Sequence, residues 1–405
     1  MNERLIGLTC SKCGNFYRPD EGPYLCPECC GVLETLYDYE KIEKFEGKDL
    51  WRYRQLLPSS GRTNLLVGVT PLYRSDALNE ELGINDLWVK DETRNPTYSL
   101  KDRASAVVVV LARELGCKTV TCASTGNAAT SLAGLSASEG LKCHIFAPKT
   151  ISAPKLVQLQ AFNARVLKID ASYDDCYDLC NRFAEKYNWY NRNTAYNPYT
   201  LDGKKTVAFE IAEQLEWEVP NKIFVPVGDG CIVSSVWKGF VELQKIGLTD
   251  GLPELIGVQA DGCKPLKESF DKNKGCERAE PKTLAGSIAV GKPRNGFMAL
   301  RDVRNSKGKF VSVTDKEMFE ATKLLGSTTG IFGELAGVAS VAAIKKEMEN
   351  GKLDEGEKVV ALITGSGLKD VEVALKLFEK IDLLEADEGK IYEHIEEIST
   401  NRRGR

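Results

Sequence analysis

The stretch Asn95-Pro96-Thr97-Tyr98-Ser99-Leu100-Lys101-Asp102-Arg103-Ala104-Ser105-Ala106 sets one lysine between a turn-forming Asn-Pro pair and the apolar run Ala106 to Leu111. This pattern predicts a helix with Lys101 near its mouth. A lysine there feels the positive end of the helix dipole, which disfavours the ammonium form and leaves more free amine for Schiff-base chemistry. The chain holds 54 Lys and Arg, so an ordinary exposed lysine is the competing reading of this segment taken alone.

Other segments bear on that choice. Thr119 to Cys122 reads as a strand that runs through Ala123-Ser124-Thr125-Gly126-Asn127 into small residues at helical spacing. Backbone N–H groups of such a loop, with the Ser124, Thr125 and Asn127 side chains, suit a carboxylate or a ring oxygen; a capped helix after a strand is the plainer alternative. A third strand, Ile223 to Val227, enters Gly228-Asp229-Gly230-Cys231-Ile232, a glycine-containing phosphate cradle of low specificity by itself. A fourth, Val359 to Ile363, ends in Thr364-Gly365-Ser366-Gly367-Leu368-Lys369-Asp370. One cleft at strand C-termini would collect all of these loops.

Taken in order, seven segments resemble the threonine synthase branch of the fold type II pyridoxal phosphate enzymes, the tryptophan synthase β-like fold. They are Val69 to Leu72, Asn95 to Arg103, Ser124 to Ala129, Asn197 to Thr206, Pro226 to Gly228, Gly330 to Glu334 and Thr364 to Asp370. The resemblance covers roughly residues 65 to 385. It implies that Lys101 tethers pyridoxal phosphate covalently and shuttles protons at the substrate Cα. Asn127 would bond the cofactor's ring oxygen, Ser124 and Thr125 the substrate carboxylate, and Gly228, Asp229, Gly230, Cys231 and Ile232 the cofactor phosphate. Thr364 would sit beside the pyridine nitrogen, where a hydroxyl in place of a carboxylate favours elimination and replacement over transamination. The only histidines, His144 in an apolar run and His394 in a charged one, supply a nucleophile pair poorly.

The chain departs from the branch at the substrate end. Where Asn-Pro-x-Arg-Leu-Glu-Gly is usual, it has Asn197-Pro198-Tyr199-Thr200-Leu201-Asp202-Gly203, and Thr194-Ala195 replaces an Asn-Ser pair. Thr194 and Thr200 would then offer hydroxyls where a phosphate needs a fixed cation, although Lys204 or Lys205 is near enough in sequence to compensate. Asp229 is expected to cap the following helix rather than face a phosphate. Three readings follow. The first is a lyase that converts threonine or serine to a 2-oxo acid and ammonia. The alternatives are threonine synthase itself, acting on O-phosphohomoserine and water, and a β-replacement synthase adding a sulfur or nitrogen nucleophile. A ribbon-bearing binding protein without catalysis is a reading of a different class, which retention of Lys101 opposes.

Cys10, Cys13, Cys26 and Cys29 form C-x2-C-x12-C-x2-C, a strong pattern for structural zinc, with Cys30 adjacent. Unpaired buried cysteines are the bland alternative. Thirteen cysteines with a metal-like cluster fit a reducing compartment better than a disulfide framework, so the cytoplasm is expected. A formal charge of −4 disfavours a nucleic-acid partner, and no run of about 18 apolar residues suggests a membrane span. A small amino-acid substrate is the expected partner, and a homodimer is left open. The predicted architecture is α/β, with two doubly wound domains behind an N-terminal zinc ribbon (1–40). Residues 41–95 and 210–385 would form the large cofactor-binding domain, 96–209 the smaller one, and 386–405 a charged tail. Segments 104–115, 154–163 and 174–187 read as helices, and 142–147 and 164–169 as strands.

Overall fold

Runs such as Val359-Val360-Ala361-Leu362-Ile363 have no polar face, so they are stable only where both sides are covered. The computed structural model, which describes residues 1–376, 378, 381 and 383–401, places them in the middle of a sheet. In chain order, β1 (Leu5–Cys10), β2 (Phe16–Tyr17) and β3 (Leu33–Tyr37) make a small antiparallel sheet ordered β2-β1-β3. Strand β4 (Leu72–Arg74), helix α1 (Asp76–Leu82) and strand β5 (Asp86–Asp91) begin a second sheet. The chain leaves it through α2 (Lys101–Glu114) for β6 (Thr119–Ala123), α3 (Asn127–Ser138), β7 (Lys142–Pro148), α4 (Ala153–Ala161), β8 (Arg165–Ile169), α5 (Tyr173–Tyr187) and β9 (Tyr190–Asn191). These strands form a parallel sheet ordered β8-β7-β6-β9. Helix α6 (Tyr199–Gln214) returns the chain to β10 (Lys222–Pro226), α7 (Cys231–Lys245), β11 (Glu254–Ala260), β12 (Lys309–Val313) and β13 (Lys358–Ile363). The second sheet is thereby completed in the order β12-β11-β10-β13-β5-β4, parallel except for β4.

Helix and strand positions read from periodicity agree with the elements: α2, α4, α5, β7 and β8 fall where the apolar spacing puts them. Helix α2 starts at Lys101 itself, three residues before the predicted boundary. The tail forms a helix, Glu388–Asn401, and the arginine-rich end, 402–405, lies outside the described residues. Among the described residues no helix is long and apolar enough to cross a membrane.

Helices α2 and α6 are buried along nearly their whole length, which explains why their sequences lack the polar stripe of a surface helix. They pack closely because Gly203 has no side chain: a Cβ there would lie 2.1 Å from the Arg103 carbonyl oxygen. Next to this contact four charges are buried together. Arg103 donates two bonds to Glu92 (both 2.7 Å) and two to Glu210 (2.6 and 2.7 Å), and Lys90 pairs with Glu210 at 2.8 Å. Burial alone would raise the Glu210 carboxyl, but the Arg103 and Lys90 charges outweigh it and hold the group well below the ordinary 4.5.

A depressed folded-state value means that Glu210 contributes stability above pH ~4.5, and that the contribution is lost as pH falls through the folded value. Glu210→Gln is expected to remove about 3 to 5 kcal/mol at pH 7 by stranding Arg103 and Lys90. The deficit relative to the parent should shrink in acid. Urea denaturation of both proteins at pH 7 and pH 3, within the window between the two values, checks this, and an equal deficit at both pH values would contradict it.

Candidate active site

The turn before α2 is fixed by hydrogen bonds that serve to aim Lys101. Thr97 donates to the Asp102 carboxylate from its backbone N–H (2.6 Å) and its hydroxyl (2.5 Å), and the Leu100 N–H donates to the Thr364 carbonyl (3.0 Å). Lys369 ties the same loops together through the Thr97 carbonyl (2.8 Å) and the Thr130 hydroxyl (2.9 Å). Lys101 thus opens into a cavity of about 130 Å³ lined by Ser124, Thr125, Asn127, Thr194, Gly228 to Ile232 and Thr364. Its amine is pushed below the ordinary lysine value, first by burial and then by the Arg192 charge.

Two features of the wall suit an anion and a polar ring. Gly230 has φ +90°, and a Cβ on it would come within 2.6 Å of Ala299 Cβ, so the loop entering α7 needs a glycine there. No side chain caps α7, leaving its first N–H groups available where the loop lines the cavity. Across from it, Asn127 donates its amide to Glu334 (2.7 and 2.9 Å) and to the Ser287 hydroxyl (3.2 Å), while its buried Oδ1 has no partner among the described residues. The expectation that Asp229 caps α7 is corrected: its carboxylate accepts instead from the Arg294 backbone N–H at 3.2 Å, turned by the neighbouring loop, and Gly230 takes the cap position.

Thr200 also departs from expectation. It is fully buried in the first turn of α6, donates to the Asn197 carbonyl at 2.8 Å, and does not line the cavity. The helical turn that carries it inward carries Lys204 to the wall, and Arg192, just after β9, joins it. The wall therefore holds two basic side chains, of which the sequence had offered only Lys204. Arg192 is 1% exposed, and its Nη2 has no partner among the described residues. Burial pushes Lys204 down to about 7, with Arg192 and Lys101 adding to the shift and Cys231 and Asp229 opposing it. Lys204 is legible as a neighbour of the altered motif, whereas Arg192 belongs to no motif. Tyr173 and residues 286–290, which close the cavity, carry no sequence signal either. His144 stacks on Trp189 with ring centroids 4.3 Å apart, in the four-stranded sheet.

In the small sheet, the Sγ atoms of Cys10, Cys13, Cys26 and Cys29 all lie within 4.8 Å of one another. Cys10 and Cys29 are 3.4 Å apart and Cys13 and Cys26 3.6 Å, near the ~3.8 Å edge of a tetrahedron with 2.3 Å metal–sulfur bonds. Hydrogen bonding from the Tyr17 hydroxyl, 3.1 Å away, holds the Cys26 thiol down to about 6. Cys30 is exposed, with φ +53°, outside the cluster. All thirteen cysteines are free thiols.

Residues 63–365 match the model of the family described as pyridoxal-phosphate dependent enzyme. The chain is 42% identical to a threonine synthase of Methanocaldococcus jannaschii, over 93% of this chain and 96% of that protein. It is 38% identical to a threonine synthase of Methanosarcina acetivorans, over 96% and 98%. Among solved structures, diaminopropionate ammonia lyase from Escherichia coli superposes with a TM-score of 0.67 at 19% identity, covering 84% of this chain and 94% of that one, a likeness of fold. The cavity fits the cofactor these comparisons imply: it holds an amine, an uncapped helix N-terminus for a phosphate, and, on the same wall, the polar side chains of Asn127, whose amide oxygen is unpaired among the described residues, and Thr364.

Lys101→Ala is expected to abolish borohydride fixation of a cofactor mass to the chain and to lower turnover by about 10²- to 10⁴-fold or more. The melting midpoint should stay close to the parent's. Mass spectrometry after reduction reads the first effect, and a variant that is still labelled would show that another lysine carries the cofactor.

Proposed function

The chain belongs to the pyridoxal-phosphate dependent enzyme family, in its threonine synthase-like branch, and from that premise we propose that it is a threonine synthase, converting O-phosphohomoserine and water to threonine and phosphate. The observation that carries this reading is the buried, partly unpaired Arg192 guanidinium beside Lys204 in the cavity that holds Lys101. An unsatisfied buried donor costs about 1 to 3 kcal/mol, and an anion removes that cost. A neutral threonine or serine hydroxyl can accept one such bond but leaves the buried positive charge uncompensated. The reading of the chain as a deaminating lyase on such substrates rested on a missing cation, and two cations are present. The relatives at 42% and 38% identity, both named threonine synthase, favour the same conclusion.

In this proposal Ser124 and Thr125 hold the substrate carboxylate, and Arg192, Lys204 and the Thr194 hydroxyl grip its phosphate. The loop from Gly228 to Ile232 holds the cofactor phosphate, Asn127 the ring oxygen and Thr364 the pyridine edge. Bound pyridoxal phosphate supplies an electron sink next to Cα. Lys101, its amine favoured by burial, takes the proton from Cα and then moves protons at Cβ and Cγ. Arg192 and Lys204 stabilise the charge that gathers on phosphate as the Cγ–O bond breaks, and water adds at Cβ to give the threonine hydroxyl. The four thiolates at Cys10, Cys13, Cys26 and Cys29 would hold one structural zinc, because four sulfur ligands leave no open position for chemistry. A reducing compartment such as the cytoplasm suits thirteen free thiols.

Incubation with O-phosphohomoserine should release inorganic phosphate and threonine in equal amounts, with little ammonia. Ammonia and a 2-oxo acid from threonine, without phosphate release from the phosphorylated compound, would overturn the proposal. Because a lysine is charged below its pKa, the KM for O-phosphohomoserine should rise as pH climbs through about 7. Lys204→Met should raise KM by about tenfold or more at pH 6.5, given about 1.5 to 3 kcal/mol per charge-assisted bond, and flatten that pH dependence. For the cysteine cluster, metal analysis should find about one zinc per chain, and chelation should lower the melting temperature. A metal-free preparation with an unchanged midpoint would remove the zinc reading.

A further inference from the structure

One turn of α6, residues 202 to 205, faces three parts of the molecule at once. Asp202, fully buried, accepts hydrogen bonds from the Thr35 hydroxyl (2.7 Å) and the Tyr37 hydroxyl (2.8 Å), both on β3 of the cysteine-bearing sheet. Gly203 lies against the backbone of α2 at Arg103, two residues from Lys101. Lys204 lines the cavity. Lys205 pairs with Asp202 at 2.8 Å and with Glu242 of α7 at 2.7 Å, and its amine stands over the Tyr37 ring, 4.3 Å from the centroid.

The same strand is tied to the cysteine cluster at its other end. The Gly31 carbonyl accepts from the Cys26 N–H (2.9 Å), and the Val32 carbonyl from the Ser11 N–H (3.0 Å). A Cβ on Gly31 would meet Cys10 Sγ at 2.6 Å. Val32 then packs with Ala195, Leu201 and Cys231, which flank the cation pair and open the phosphate-binding helix. The path from thiols to cavity combines specific hydrogen bonds, at Cys26–Gly31, Ser11–Val32 and from Thr35 and Tyr37 to Asp202, with one buried apolar contact at Val32, whereas simple packing of an appended domain needs only apolar contact.

We infer that Asp202, held by Thr35 and Tyr37, is a positioning residue that sets the Lys204 ammonium against the substrate's phosphate, so that the cysteine-bearing sheet governs anion affinity in the active site. The inference rests on the proposed phosphorylated substrate. A carboxylate is well suited to such positioning, because its two oxygens accept from two hydroxyls on one strand while the same group anchors Lys205. Rotation of the α6 turn is thereby resisted from two sides.

Holoenzyme of Tyr37→Phe, of Thr35→Val and of the double variant tests this, with Thr35→Ser, which keeps the hydroxyl, as the conservative control. Inorganic phosphate is the probe, its dissociation constant read from competitive inhibition and from the shift it causes in cofactor absorbance. The expected result is a rise of about fivefold or more in that constant and in the KM for O-phosphohomoserine, kcat changed less than about threefold, and near-parent behaviour of Thr35→Ser. Adding Lys204→Met to the double variant should cause little further loss, because both changes remove one contact. Tyr37→Phe keeps the ring over Lys205, so it remains informative if the double variant does not fold. Unchanged phosphate binding in Tyr37→Phe and Thr35→Val, or losses that add fully to those of Lys204→Met, would overturn the inference while leaving the proposed substrate intact. Lys204→Met with unaltered phosphate binding would also overturn the inference, whereas the substrate reading stands or falls on the release of phosphate and threonine from O-phosphohomoserine.

Discussion

The quartet of Lys90, Glu92, Arg103 and Glu210 constrains the rest of the molecule. Each charge in it is at most 2% exposed, and contacts of 2.6 to 2.8 Å join the four. A single buried ion carries a desolvation penalty of several kcal/mol, so each of these charges is tolerable only with the others in place. Such a set admits little slack: strand β5, the turn after it, α2 and α6 have to meet at one place. Arg103 lies two residues beyond Lys101, and Glu210 lies less than two helical turns beyond Lys204. The position of both cavity lysines is therefore inherited from an interaction that touches neither.

Inside the cavity the electrostatics run the other way. Three basic side chains, Lys101, Arg192 and Lys204, share the wall with one carboxylate, Asp229. Burial lowers the values of all three bases and raises that of the aspartate, so the protein environment opposes charge on every one of these groups. A cavity built this way gains most from ligands that bring negative charge. The phosphate of the family's cofactor is of that kind, and so is the phosphate of the substrate proposed above.

The parts of this arrangement legible in the sequence were those coded locally. The Asn-Pro turn before Lys101, the strand-loop-helix at Ser124 to Asn127, and the glycines at 228 and 230 announce themselves because local backbone conformation, or at Gly228 the close approach of residues 287 to 290, restricts which residues can stand there. The cysteine spacing is legible in the same way, since two short knuckles bring four thiols within 4.8 Å of one another. Arg192 was hidden because its importance comes from a tertiary placement, and an arginine after a two-residue strand looks like any other. Thr200 misled in the opposite sense. Its motif position suggested a substrate contact, while its short side chain bonds back to the Asn197 carbonyl and the longer Lys204, one turn later on the same face of α6, reaches the wall. Asp229 likewise had a plausible local partner, the helix it precedes, and a tertiary one, the Arg294 backbone, and the tertiary one won.

Helix α6 has no idle face over residues 202 to 205, and this limits how the chain can change over evolutionary time. Substitution at a single position alters one partner. Insertion or deletion of one residue upstream in the helix would rotate every later side chain by about 100°, exchanging the ribbon, the neighbouring helix and the cavity among the wrong residues. Loops elsewhere in the molecule can lengthen at small cost. This helix is expected to diverge in residue identity while keeping its register, so new specificities in such a scaffold would arise by replacement at places like Thr200 and Lys204, never by a change in length between Asn197 and Glu210.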